Sequence, residues 1–142
     1  MKLPETKFWD TVNQKSLNSM SNFSHAVPFI PVNDLNETIV YYRDQLGFSN
    51  EWFWENTDAG IKRNDLGLLF MHDPEFVSRI NSNDHHFEIC WFVSNVEEVY
   101  EEYKSKNVNI VSQLELKPWG IKEFTVEEIN GYWLRIGTGV DS

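Results

Sequence analysis

His86 and Glu88 are the two neighbouring residues whose types could do chemistry, by binding a metal or moving a proton. One residue apart on an extended segment, they share a face. With His25 and His72 they form the pool for a metal site, because divalent metals take imidazole and carboxylate donors. The favoured reading is plainer: the histidines cap a polar loop. His-x-Glu also opens the zinc deaminase signature, but its Pro-Cys-x-x-Cys partner is absent, so that chemistry is excluded. Glu88 with a raised pKa would be a general base, yet no second catalytic group accompanies it. Cys90 lies in an apolar run with nothing basic beside it in sequence, and reads as a small hydrophobe rather than a nucleophile.

The aromatic residues form a second group. They make up 15% of the 142 residues, with 6 Trp and 10 Phe, more than a core of this size needs, so some rings are expected to line a binding site. Trp52 and Trp54 share one strand face and Phe53 takes the other. Trp119 stands in the Pro118-Trp119-Gly120 turn, where a large ring is hard to bury fully. Trp91 alternates away from Glu88 and is expected on a helix-covered face.

The formal net charge of −10 argues against nucleic acid or an anionic membrane as partner and favours cationic ligands. A single cysteine allows no internal disulfide, which fits a reducing cytoplasm. No apolar run approaches the ~20 residues of a transmembrane helix. The start, Met1-Lys2-Leu3-Pro4-Glu5, lacks the apolar core of a signal peptide.

The elements that position these residues repeat. Phe29-Ile30-Pro31-Val32 leads through Asp34 into a helical pattern, and Ile89-Cys90-Trp91-Phe92 leads through Asn95 into another, 61 positions later. At the same offset Leu35 meets Val96, Ile39 meets Tyr100 and Tyr42 meets Tyr103. Asp34 with Glu37 forms a capping-box-like pair, and Gly47 stops the helix. Strands are expected at 26–32, 48–55, 60–64 and 66–71, then at 86–93, 110–114, 122–127 and 132–136. Pro28 and Pro31 place the first at an edge or bulge. Residues 72–84 read as a linker. The order is βαβββ twice, an α+β architecture in which two facing copies make a cleft. Residues 1–23 read as a separate N-terminal arm, with a helix opening at Pro4 and carrying Phe8, Trp9 and Val12. The domain spans 24–139, with modules at 24–75 and 85–138.

Several short motifs carry a resemblance. They are Ala26-Val27-Pro28 leading to Val32-x-Asp34, Tyr41-Tyr42-Arg43-Asp44 with Leu46-Gly47-Phe48, Asp58-Ala59-Gly60, Pro118-Trp119-Gly120 with Glu123-Phe124, and Asn130-Gly131. Over about residues 25–138 the chain resembles the vicinal oxygen chelate superfamily of glyoxalases, bleomycin-resistance proteins and extradiol dioxygenases. Pro-Trp-Gly with Glu-Phe is more selective for the bleomycin-resistance branch. The chain departs from that branch at Asp58, where some bleomycin binders carry an aromatic ring, and at Glu128-Ile129, where Asp-Pro is usual.

The resemblance implies four inward positions that hold metal in some members, here Val27, Leu69, Glu88 and Arg135. One carboxylate beside an arginine is a poor cage, so neither metal nor any other cofactor is expected. Glu88 and Arg135 would instead form an ion pair in the cleft. In resistance proteins the loop at Trp119 borders a groove that grips flat drug rings. The implied ligand-binding set is Phe29, Trp54, Leu69, Glu88, Trp119, Glu123 and Arg135. The implied function is non-catalytic binding of a small, flat, cationic molecule by a homodimer. The alternative is a glyoxalase- or lyase-like enzyme with a relocated metal or a metal-free acid–base site.

Overall fold

The computed structural model describes residues 22–82 and 84–139. The expected N-terminal arm lies outside them, apart from its last two residues. The chain divides into two compact units between Pro74 and Glu75. The architecture is α+β, with two βαβββ modules. No helix among the described residues is long and apolar enough to cross a membrane.

The first unit runs β1 (Phe29–Val32), α1 (Leu35–Asp44), β2 (Ser49–Trp54), β3 (Asp58–Arg63) and β4 (Leu66–His72). Its sheet has the order β1-β4-β3-β2. β1 runs parallel to β4 and takes the edge, where Pro31, which has no N–H to donate, is tolerated. Asp34 caps α1: its carboxylate accepts the Glu37 backbone N–H at 2.8 Å. Leu35, Ile39 and Tyr42 are buried from one helical face, and Leu46 follows them inward. Gly47, at φ 79°, turns the chain where a side chain would be strained.

The second unit holds α2 (Pro74–Asn81) from Glu75 onward, then β5 (Glu88–Phe92), α3 (Val96–Ser105), β6 (Ile110–Leu116), β7 (Ile121–Glu127) and β8 (Trp133–Gly139). Its sheet repeats the first, in the order β5-β8-β7-β6, with β5 parallel to β8. Asn95 occupies the N-cap of α3 without a side-chain capping bond, and its amide donates to Glu98 at 3.0 Å instead. α2 replaces the expected linker. Pro74 starts it, Glu75 pairs with Arg79 one turn on, and Val77 is buried. The segment is short and ends in polar residues, so its three apolar positions were too few to reveal a helix.

The repeat extends to the ladder register. Phe29 stands opposite Leu69, and 61 positions after Phe29, Cys90 stands opposite Arg135. Leu69 and Arg135 are therefore equivalent. Val27 and Glu88 stand at the same offset, two residues before these partners, but only Glu88 is paired: it opens β5 opposite Trp133, whereas Val27 precedes β1 and joins no ladder. Pro28, which has no N–H to donate, separates Val27 from the strand.

Two close approaches fix the sheets. Glu128 is buried, and its carboxylate accepts the backbone N–H groups of Asn130 and Tyr132 across the β7–β8 turn. Asn81 then donates to the Asn130 carbonyl at 2.8 Å, tying α2 to the turn. In the first unit Trp52, only 8% exposed, lays its indole over Gly60. A Cβ on Gly60 would come within 2.4 Å of the indole nitrogen. Gly60→Ala is therefore expected to destabilise the protein by about 1–3 kcal/mol, through overpacking. Gly139→Ala, where a Cβ meets nothing within 4 Å, should stay within about 0.5 kcal/mol in the same urea titration.

Candidate functional site

The seven expected site residues fall in both units. Phe29, Trp54 and Leu69 belong to the first. Phe29 and Leu69 are ladder partners, with Phe29 47% exposed, and Trp54 ends β2 opposite Asp58. Glu88, Trp119, Glu123 and Arg135 belong to the second, and the structure brings the last three together.

Glu123 is the centre. It lies on β7 with its side chain only 5% exposed. The Arg135 guanidinium forks onto it, Nε to Oε2 at 2.9 Å and Nη2 to Oε1 at 3.1 Å. The Trp119 indole N–H donates to Oε1 at 2.7 Å. The guanidinium carbon stands 5.5 Å from the centroid of the Trp119 ring. Two contacts, with Glu123 and with Arg135, thus hold the indole of Trp119, a residue that remains 59% exposed. A buried carboxylate needs such partners, because leaving it unpaired costs several kcal/mol.

The local sequence explains the arrangement. Lys117 accepts the Gly120 N–H and donates to the Ile121 carbonyl, closing the turn that carries Trp119. Gly120 has a φ of 85°, which favours glycine. Gly137 lies opposite Glu123, and a Cβ there would come within 2.7 Å of Ile121 and 2.9 Å of Glu123. The missing side chain leaves room for Ile121 and for the stem of Glu123. Cys90, Phe92, Trp119, Ile121, Arg135 and Gly137 line a cavity of about 170 Å³ beside it.

Two expectations are corrected. Arg135 makes its ion pair with Glu123, across the β7–β8 ladder, and not with Glu88, which is exposed at the start of β5. Cys90 is exposed and lines the cavity rather than packing in the core. The signal for Cys90 was present: alternation from Glu88 puts it on the same face and puts Trp91, 4% exposed, on the other. The contribution of Gly137 could not be read, because it depends on what lies across the ladder. His86 stacks on Trp133 with ring centroids 4.1 Å apart and lies 3.4 Å from the Gly131 carbonyl.

The four family metal positions do not fit a divalent cation. Val27 and Leu69 have no donor atom, and Arg135 is itself a cation whose fork occupies both oxygens of Glu123. Among the described residues no group of three or more His, Cys, Asp or Glu side chains is placed to hold a metal.

This fold has known relatives. A family model for the glyoxalase/bleomycin resistance protein/dioxygenase superfamily matches residues 22–136. The chain belongs to that superfamily. Among solved structures it is similar to a bleomycin resistance determinant encoded on the transposon Tn5, at 24% identity and a TM-score of 0.69, covering 82% of this chain and 98% of that one. It is also similar to a bleomycin-binding protein from Streptomyces verticillus complexed with copper(II)-bleomycin, at 22% identity and a TM-score of 0.68, covering 85% and 100%. A lactoylglutathione lyase from Agrobacterium tumefaciens matches at 17% identity and a TM-score of 0.64, covering 84% and 96%. At these identities the structural likeness shows the fold alone. No curated protein matches the chain significantly.

The fork holds the Glu123 carboxyl below the usual range. The Arg135 hydrogen bonds are the main cause, burial opposes them, and the Trp119 N–H adds to them. With the folded pKa below the unfolded value of about 4.3, this stabilisation is complete above that value. It is lost as pH falls through the folded pKa. Glu123→Gln is expected to cost about 1.5–3 kcal/mol at pH 7 in urea unfolding, the worth of charge-assisted hydrogen bonds. The gap between parent and variant should narrow as pH drops from about 5 towards 3.

Proposed function

We propose that the chain binds a small, flat molecule without transforming it, as in bleomycin sequestration. The observation that carries this reading is the Trp119 indole, fixed by Glu123 and Arg135 yet more than half exposed at the mouth of a cavity. A fixed ring offers a stacking face with little entropy left to lose, and stacking adds about 0.5–1.5 kcal/mol beyond area burial. The cavity volume of about 170 Å³ suits one ring system rather than a whole drug. An apolar cavity of roughly 150 Å³ is enough for benzene.

In this reading Glu88, on the same face of β5 as Cys90, contacts another part of the ligand, and the working form is a metal-free, cytoplasmic homodimer. The net charge of −10 supports steering of cationic ligands from a distance. Supports for the comparison with sequestration are the superfamily membership and the family motif Pro118-Trp119-Gly120 with Glu123.

Tryptophan fluorescence titrated with bleomycin and with unrelated flat molecules is the direct assay. Trp119→Ala is expected to weaken binding by about 1–3 kcal/mol, roughly 5- to 150-fold. For a cationic ligand, added salt should slow association more than it speeds dissociation. Binding only above millimolar concentration, or no effect of Trp119→Ala, would sink the reading.

A further inference from the structure

The charge that the cavity offers a ligand is not the charge of the whole chain. Glu123 has two carboxylate oxygens, and both accept from Arg135, one of them also from Trp119. With its side chain 5% exposed, it has little left to give a cation. Arg135 is the opposite case. Its side chain is 30% exposed and lines the cavity. A guanidinium carries five N–H donors. Two are used in the fork, and the remaining three make no hydrogen bond to any described residue. The fork also removes most of the freedom that an arginine would otherwise lose on binding, so its free edge is pre-oriented. Trp119 fixes one wall beside that edge, and Cys90, opposite Arg135 on the ladder, supplies another.

We propose that this cavity selects a planar ring bearing a hydrogen-bond acceptor, a carboxylate or a carbonyl, and that Arg135 is the residue that reads it. This rests on the reading above that the cavity takes a flat ring, and it names that ring's chemistry. It reverses the expectation from net charge at close range. Distant carboxylates draw cations towards the protein, but the contact itself favours an acceptor. A ligand satisfying both carries its acceptor on the ring and its positive charge elsewhere.

The test compares 2-naphthoate with N-methylquinolinium, two fused rings of similar size and opposite charge, by fluorescence and calorimetry on the whole chain. Naphthoate is expected to bind at least about tenfold more tightly, the effect of a charge-assisted hydrogen bond. Arg135→Leu alone would strand Glu123, so the second arm is the double variant Glu123→Leu/Arg135→Leu, which removes both charges. In it the preference should fall to within about threefold. Equal or tighter binding of N-methylquinolinium overturns the proposal while leaving the flat-ring reading in place, as does a naphthoate preference that survives in the double variant. Failure of both rings to bind below millimolar concentration overturns both.

Discussion

A buried carboxylate must find partners, and in the second unit that requirement organises the site. Glu123 sits on a strand where both faces are buried, between Ile121 and Thr125 on one side of the sheet and beside Phe124 on the other. Water cannot solvate it there, so its oxygens have to be met by protein donors. Arg135 comes from the neighbouring strand and Trp119 from the turn just before β7. The one interaction therefore fixes a turn, a guanidinium and an exposed indole together. Gly137 lets Ile121 and the stem of Glu123 pack close, where a Cβ would meet both.

The two sheets repeat one plan but use it differently. Leu69 pairs with Gly60, and at the equivalent place Arg135 pairs with Thr125. In the first unit Gly60 faces Trp52, whose indole covers the space above it. In the second unit the position opposite Thr125 is Ser112, too small to do the same. One sheet thus covers its own face with a tryptophan, while the other keeps a charged fork and a cavity. The shared register carries the repeat; the exchange of a few side chains builds a charged fork on the second sheet where the first has an indole over glycine.

The elements were legible in the sequence where local chemistry is strong. Asp34 with Glu37, the spacing of Leu35, Ile39 and Tyr42, and Gly47 mark α1 without reference to anything distant, and the edge position of β1 follows from Pro28 and Pro31. Asn95 marked the start of α3, though its side chain chose Glu98 over the backbone. α2 was missed because its stability draws on contacts far along the chain, such as that of Asn81 with the Asn130 carbonyl.

The sequence by itself determined the repeated βαβββ order, the starts of α1 and α3, the alternation that buries Trp91, and the turn that leaves Trp119 partly exposed. Those follow from periodicity and backbone chemistry within a few residues. Only the tertiary structure decided which carboxylate Arg135 would meet. Glu88 and Glu123 are equally acidic on paper, but they lie on strands at opposite sides of β8. β7 buries its carboxylate and β5 exposes its own. Burial makes the pairing obligatory for one and dispensable for the other, and burial is a property of the packed sheet that no stretch of sequence contains.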